Sequence, residues 1–321
     1  MATYHSGEIS VQERAGLAQE ADFSGGAIGA TVPPVAVDFL AQQPMLVIGA
    51  ADREGRLWAG QLTGTPGFLR VPDPGTLEID TLPLPQDPLY ERLCDPAAVT
   101  RVGMIAIEPA TRRRMRMNGR ATPHGAGLRV ELDQVISNCP KYLQKREYRI
   151  LDADAHADAD VDAHAEGTGQ GARRVTDGTA LTPAQQRTVR RADTFFIATA
   201  AARAGRGDAD ASHRGGNPGF VQVLSPTRLC WPDYVGNAMF LTLGNLALNP
   251  DAGLFFPDWD TGSALLLTGS AHTVWDTGES ARTPGAQRLV EFSVSAVREI
   301  DAASALRWSA PQYSRFNPPV G

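Results

Sequence analysis

One short phrase occurs twice in the sequence, and this repeat limits the possible folds more than any other feature. Residues 64–71 read GTPGFLRV and residues 216–223 read GNPGFVQV, so that five of the eight positions are identical. The similarity continues downstream, where 102–121 (VGMIAIEPATRRRMRMNGRA) aligns with 252–271 (AGLFFPDWDTGSALLLTGSA) at a constant offset of 150. A period of this length is too long for a solenoid, so the sequence predicts a duplicated domain.

Each copy also begins in the same way, with a helical segment opened by proline and followed by an apolar run rich in strand formers. These runs are MLVIGA at 45–50 and FFIATA at 195–200. In the second copy, Thr182 is the predicted N-cap, Pro183 the first helical residue and Gln185 the closing residue of a capping box. Short strands with Gly/Pro turns and few helices favour small closed barrels. The predicted fold class is therefore mainly β with a few helices (β-barrel, α+β), built from two tandem barrels.

The stretch between the copies predicts the domain boundaries. It reads LDADAHADADVDAHAEGTGQGARR, which is acidic, rich in Ala and Gly and nearly free of large apolar side chains. Such a composition is typical of a disordered linker or an exposed loop. We therefore expect a first barrel over residues 1–150 with degenerate binding motifs, ending in a helix at NCPKY. An acidic linker or loop over 151–176 and a second, ligand-binding barrel over 177–321 would follow.

Composition narrows the class of protein further. The net charge of −6 argues against a broad nucleic-acid-binding face. No apolar run of membrane-spanning length occurs, the first twenty residues do not resemble a signal peptide, and three widely spaced cysteines fit a reducing compartment. A cytoplasmic protein is therefore expected. A calcium loop counted from Asp158 would have Ala163 and Gly169 where Gly and Glu are needed, so no metal site is predicted.

The two copies diverge around the shared phrase, and a site belonging to one copy is expected there. Ahead of the phrase, the second copy reads DASHRGG where the first reads LWAGQLTG. Arg214 then stands opposite Leu62, and His213 opposite Gln61. After the phrase, only the second copy continues into an apolar segment with helical character, whereas the first has the acidic and proline-broken EIDTLPLPQDPLYERLCDP.

That second-copy segment, CWPDYVGNAMFLTLGNLALNP, predicts a helix from about 238 to 249 with Asn237 as its N-cap. Thr242 and Asn245 are three residues apart and share a helical face. The free N–H groups of a helix N-terminus suit an anion such as phosphate. The sequence therefore favours an anion site in the second copy alone.

The ordered series FFIATA, GNPGFVQV, CWPDYVGNAMFLTLGNLALNPDAGLFFP and LLLTGSA resembles the FMN-binding split β-barrel of the pyridoxamine 5′-phosphate oxidase-related flavoproteins. The resemblance covers about residues 30–150 and 180–300. It implies two tandem split β-barrels related by internal duplication, with FMN as the cofactor. In relatives the flavin lies between the two barrels of a dimer. A duplicated chain could form that interface internally, and chains could in addition pair as homodimers.

The resemblance also implies which residues hold the cofactor. The implied flavin and phosphate contacts are Ser212, His213, Arg214, Gly215, Asn237, Thr242 and Asn245. Relatives often have Arg or Lys in the helix turn, where this chain has Ala238, Met239 and Leu241, so a cation must come from elsewhere. Lys141 or Arg146 could supply it. Lys141 lies in NCPKYLQKR, which is similar to a Cys-Pro-Lys segment that follows the barrel in several relatives.

The implied function is an FMN-dependent oxidoreductase that acts on an unknown small-molecule substrate or on a redox partner such as a reductase, with no nameable catalytic residue. The C-terminal sequence ALRWSAPQYSRFNPPVG lacks the Trp-Gly-Gly and Arg-Leu-His elements of true pyridoxamine phosphate oxidases, so that activity is not expected. Two alternatives stay open. One is a non-enzymatic flavin or electron-relay module, and the other is a haem-binding split barrel with His213 and His272 as ligand candidates.

Overall fold

Two antiparallel sheets with one shared strand order dominate the computed structural model, which describes residues 4–137, 140–151, 173–202, 209–275, 278 and 283–320. The first sheet comprises β1 Ile28–Gly29, β2 Met45–Ala51, β3 Leu57–Thr63, β4 Leu69–Asp73, β5 Thr76–Ile79, β6 Thr100–Glu108, β7 Arg113–His124 and β8 Gly127–Ser137. The later strands are β9 Tyr148–Ile150, β10 Val175–Gly178, β11 Thr194–Ala200, β12 Ala209–Gly215, β13 Gln222–Ser225, β14 Arg228–Tyr234, β15 Asp251–Pro257, β16 Ala264–Val274, β17 Ala286–Ile300 and β18 Leu306–Trp308. The helices are α1 Ser6–Ala15, α2 Ala18–Gly25, α3 Pro34–Ala41, α4 Tyr90–Leu93, α5 Pro183–Arg191 and α6 Leu241–Leu248.

The order of pairing confirms the duplication. The first sheet runs β3-β2-β6-β7-β8-β5-β4 with β1 on β8, and the second runs β12-β11-β15-β16-β17-β14-β13 with β10 on β17. The two sheets share a bulge at the corresponding place, at Asn118/Gly119 in the first and at Thr268/Gly269 in the second. The chain is therefore mainly β, with two tandem split β-barrels whose strands correspond one to one.

The repeated phrase forms the same tight turn in both halves. Gly67 and Gly219 have left-handed φ angles of 101° and 93°, which favour glycine. The turns place Phe68 and Phe220 in the cores of their respective halves. The duplicated sequence is thus conserved between the halves because it folds the chain between two strands, and not because both copies carry a site.

The two barrels pack against each other around an approximate two-fold axis. Gly49 of β2 lies against Ala198 of β11, its structural counterpart. Gly103 lies against the backbone of Asp210, and its counterpart Gly253 lies against the backbone of Trp58. A Cβ at any of these glycines would collide with the opposite half, so the glycines allow close contact between the sheets. Reciprocal contacts of this kind are the signature of an isologous interface, here formed within one chain.

The predicted capping box of α5 is confirmed. The Thr182 side chain accepts a hydrogen bond from the Gln185 N–H, and the Gln185 side chain accepts one from the Thr182 N–H. The predicted helix at NCPKY is wrong for the described residues 140–147, which form turns and extended chain with Tyr142 at φ 63°. This segment pairs with the end of the chain instead, through the Lys145–Gln312 bridge and the β9–β18 pair. Interactions more than 150 residues away in sequence therefore override its local helical tendency.

Helix α6 also starts later than predicted. Ala238 and Phe240 adopt left-handed φ angles of 60° and 56°, which prevent a continuous helix from 238, so the helix begins at Leu241. Asn237 caps this turn rather than the helix, because its Oδ1 accepts a hydrogen bond from the N–H of Met239 at 3.2 Å.

The N-terminal helix α1 contacts the second barrel. Gly7 of α1 lies against the backbone of Gly244 in α6, and the Gln12 side chain donates to the Met239 carbonyl at 3.1 Å. The segments 152–172 and 138–139, with the expected linker and Cys139, lie outside the described residues; Val175 and Thr176, at the end of the expected linker, already belong to β10. Among the residues described, no helix combines the length and the apolar character needed to cross a membrane.

Candidate functional site

A cavity of about 690 Å³ opens between the two halves. Its second-half walls include strands β12, β14 and β17, the turn before α6 and the start of that helix. Helix α2, strands β6 and β7 and the segment at 141–142 add residues from the first half. A volume of this size is typical of sites for a cofactor or a small molecule.

Seven of the eight predicted site residues line this cavity: Lys141, Ser212, His213, Arg214, Gly215, Asn237 and Thr242. Asn245 does not line it, because its amide lies beneath the N-terminal helix, bonded to His5 Nε2 at 2.9 Å and to Thr199 Oγ1 at 3.0 Å. Arg146, the other cation considered for the phosphate, is held elsewhere by Asp193 at 2.7 Å. His272 is exposed beside Glu291 and does not meet His213 at the cavity.

A buried ion pair joins the two halves at the floor of the cavity. Arg116 of β7 donates to Asp210 Oδ2 and to Ser212 Oγ, both at 2.8 Å, and to the Ala211 carbonyl at 3.2 Å. Thr242 Oγ1 donates to the same Asp210 oxygen at 3.2 Å. Of the predicted site residues, Ser212 is thus held by a first-half arginine, and Thr242 by the aspartate that pairs with this arginine.

A second charged cluster lies at the turn before α6. Asp233 of β14 lies 3.6 Å from the Arg214 guanidinium and 3.3 Å from the Arg288 guanidinium. The Arg288 guanidinium stacks on the rings of Phe240 and Trp275, at 4.8 and 5.1 Å from their centroids. Burial lowers the pKa of Arg288, although Asp233 opposes this shift.

Arg288 is the least satisfied member of this cluster. Its side chain is only 6% exposed, and its Nε and NH1 atoms have no hydrogen-bond acceptor among the described residues. A buried guanidinium normally has its N–H groups paired, because a lost hydrogen bond to a charged group is expensive. An anion that reached these atoms would supply the missing acceptors.

His213 is buried between the halves with a cation beside it. Its Nδ1 lies 2.9 Å from Arg114 NH1, and its ring meets the Phe196 ring edge-on at 5.7 Å. Burial, together with the charges of Arg114 and Arg214, lowers the pKa of His213 well below 6.5. The imidazole is therefore neutral at pH 7.

The lining of the cavity is positively charged. The cations that line it are Arg114, Arg116, Lys141, Arg214 and Arg288, and the carboxylates are Glu20 and Asp233. Even when Asp210 is counted against Arg116, positive charge exceeds negative charge by two. The described walls therefore suit a ligand with two negative charges, such as a phosphate monoester.

Lys141 and Tyr142 line the cavity, and hydrogen bonds anchor the segment 140–147 that carries them. The Tyr142 hydroxyl donates to the Val235 carbonyl at 3.1 Å, and the Tyr142 carbonyl lies so close to Gly215 that a Cβ there would collide with it. The buried Gln144 amide donates to the carbonyls of Tyr142 and Gly216 and accepts from the N–H of Ser314. The glycine at 215 thus allows a first-half segment to reach the second-half strand.

The corresponding place in the other half is filled. Arg114 and Arg116 of β7 correspond to Ala264 and Leu266 of β16, which are buried in the hydrophobic core of the first half. Trp308 belongs to the same core. The four-residue helix α4 stands where the second half has the eight-residue α6. Among the described residues, the cationic lining thus belongs to one of the two pseudo-equivalent places.

No protein-family model matches the chain, and neither does any curated protein. Solved structures that resemble parts of it include HupZ from Group A Streptococcus, at 10% identity, TM-score 0.30, 37% of this chain and 98% of that chain. A provisionally assigned pyridoxamine 5′-phosphate oxidase from Lactobacillus delbrueckii is 16% identical, with a TM-score of 0.31 over 37% of this chain and 94% of that chain. The FAD binding protein from Mycobacterium smegmatis is 13% identical, with a TM-score of 0.28 over 39% of this chain and 99% of that chain. The site assignment rests on the residues of this chain.

Arg114, Arg116 and Arg288 were missed by sequence reasoning. A signal for two of them was present, because Arg114 and Arg116 alternate with the buried residues Met115 and Met117 in a strand. Alternation places both arginines on one face, opposite the methionines in the core. No local signal relates Arg288 to the α6 turn, since 48 residues separate it from Phe240.

Proposed function

We propose that the cavity binds FMN and that the chain is a flavin-dependent oxidoreductase of a small-molecule substrate. The observation that carries this proposal is the cationic cavity itself, which contains the buried and unsatisfied Arg288 guanidinium beside the turn that resembles a flavin-phosphate turn. A phosphate monoester carries a charge of about −1.5 to −2 at pH 7, which matches the excess charge of the lining.

Within this proposal, Arg288 and the N–H groups at the start of α6 hold the phosphate. Arg214 is held beside them by Asp233, and Ser212 and Thr242 are fixed by Arg116. The flavin supplies the electron-transfer chemistry when bound. The first half contributes Lys141 and Tyr142, which line the cavity and limit the access of water to it.

The test compares ligands that differ in the phosphate. FMN, riboflavin and FAD are titrated into the purified apoprotein and followed by quenching of flavin fluorescence. We expect FMN to bind at least about 10-fold more tightly than riboflavin, because a charge-assisted contact to phosphate contributes about 1.5–3 kcal/mol. The comparison of FMN with FAD tests whether the site prefers a flavin that ends in a phosphate monoester or a flavin dinucleotide.

Arg288→Met should remove most of the preference for FMN over riboflavin while leaving riboflavin binding nearly unchanged. The matched control is Arg228→Met, because Arg228 is exposed and pairs with Glu291 outside the cavity. Equal affinities for FMN and riboflavin in the parent would contradict the phosphate position. If no flavin binds, or if the purified protein shows the Soret band of haem, the proposal that the cavity binds a flavin is wrong. NADPH oxidation with oxygen or a quinone as acceptor then tests the oxidoreductase activity.

A further inference from the structure

The two ring nitrogens of His213 have different surroundings. Nδ1 lies 2.9 Å from NH1 of Arg114, which reaches it from the other half of the molecule. Nε2 is buried and has no hydrogen-bond partner among the described residues. His213 is 5% exposed and lines the cavity.

The contact with Arg114 determines where the imidazole proton lies. An arginine guanidinium has five N–H donors and no acceptor, and it stays protonated in proteins. In the 2.9 Å contact, Nδ1 must therefore accept, which leaves the proton of a neutral imidazole on Nε2. An imidazole in this state has no free lone pair on either nitrogen and cannot serve as a general base.

From this geometry we infer that His213 presents a fixed, neutral Nε2–H donor to an acceptor atom of the ligand in the cavity, with Arg114 as the positioning residue. A buried donor without an acceptor destabilises the protein, so a bound ligand that supplies an acceptor is favoured. The acceptor is a carbonyl oxygen or a ring nitrogen. FMN offers both in its ring system, and this part of the inference rests on the proposed function.

The surroundings of the ring keep it in this state. The charged groups that face His213 are Arg114 on β7 and Arg214 on its own strand, and both disfavour a second proton. The aromatic ring of Phe196 on β11 packs against it and adds no charge. The imidazole should therefore remain neutral at pH 7 and above.

The first experiment needs no ligand. Imidazole ¹⁵N–¹H correlation spectra of the apoprotein are recorded from pH 5 to 8, and His213 is assigned by the loss of its signals in His213→Gln. We expect the Nε2–H tautomer at pH 7 and no titration near pH 6.5. A proton on Nδ1, or titration near pH 6.5, would overturn the inference.

The second experiment measures FMN affinity. In His213→Gln, the amide can still accept from Arg114 and donate at its other end, so the dissociation constant should stay within about 2-fold of the parent value. His213→Leu has no donor and should weaken binding about 3- to 10-fold, as expected for one neutral hydrogen bond. His272→Leu, at an exposed histidine, is the control.

The affinities of the two His213 variants test whether His213 donates a hydrogen bond to the ligand. If His213→Leu binds FMN as tightly as the parent, or if His213→Gln binds as weakly as His213→Leu, the donor role is wrong. If His213→Leu does not fold, the spectra of the parent and the affinity of His213→Gln still decide. If the parent binds no flavin, the proposed function fails, whereas the spectra continue to report the tautomer.

Discussion

Removing one buried charge in the first half should make the protein more stable. Asp87 lies in the segment of the first half that corresponds to the turn before α6 in the second half, with its carboxylate against Gly60. It is only 9% exposed, and its Oδ1 accepts a hydrogen bond from the N–H of Leu89 at 2.8 Å. Burial raises its pKa from 3.8 to about 6, although Leu89 and Arg298 act in the opposite direction.

The size and sign of the effect follow from this shift. A carboxyl with a higher pKa in the folded state than in the unfolded state contributes stability that is fully present below pH 3.8 and is lost as the pH rises through about 6. The rise of the Asp87 pKa from 3.8 to about 6 corresponds to about 3 kcal/mol of unfolding free energy above pH 7. Asp87→Asn retains an acceptor for Leu89 and removes the charge. It should therefore increase the unfolding free energy by up to about 3 kcal/mol at pH 7.5.

The assay is thermal unfolding of parent and variant at pH 4 and at pH 7.5, followed by circular dichroism. We expect Tm to rise by up to about 5 °C at pH 7.5 and to change little at pH 4. Arg298 should tolerate the loss, because Asp177 holds it by two hydrogen bonds of 2.7 and 2.8 Å. Glu147→Gln, at an exposed position, is the control for removing one negative charge. A difference between parent and variant that is the same at both pH values would refute the reasoning.

Three further predictions concern the contribution of the first half to the site. Arg116→Met should lower the unfolding free energy by about 3–5 kcal/mol in urea titrations, because Asp210 would stay buried without its cation. Adding Asp210→Asn to this variant should restore part of the lost stability. A loss below about 1 kcal/mol in Arg116→Met alone would contradict a stabilising Arg116–Asp210 pair. Lys141→Ala should raise the dissociation constant of FMN about 10-fold in fluorescence titrations, whereas Lys145→Ala, outside the cavity lining, should not, and equal effects would exclude a cross-half contact. Flavin released by denaturation should amount to one per chain, and two per chain would show that the apolar counterpart of the cavity also binds.

The parts of the fold that were predictable from sequence are those with local causes. The repeat, the glycine turns and the capping box at Thr182 each depend on a few neighbouring residues, and the strand correspondence follows from the constant offset. The start of α6 was not predictable, because the left-handed conformations of Ala238 and Phe240 are unfavourable for these residue types and need the surrounding structure to hold them.

The site residues also fall into those that local sequence predicts and those that depend on long-range packing. Second-half residues such as Ser212 and Arg214 were predicted because they stand next to the repeated phrase, where the two copies differ. Arg116 was not, because its role depends on a contact with Asp210, 94 residues along the chain, which only the packing of the two barrels creates. A local sequence pattern cannot predict a contact between residues this far apart in the chain.

The reciprocal glycine contacts between the barrels have a genetic consequence. In a homodimer, one codon specifies a residue at both symmetry-related places, so a substitution that improves one place is imposed on the other. In this chain the two places are encoded separately. Arg116 can stay charged while its counterpart Leu266 becomes part of a hydrophobic core. Each copy can therefore change without the other, so that one pseudo-equivalent place can be a cationic cavity while the other belongs to a hydrophobic core.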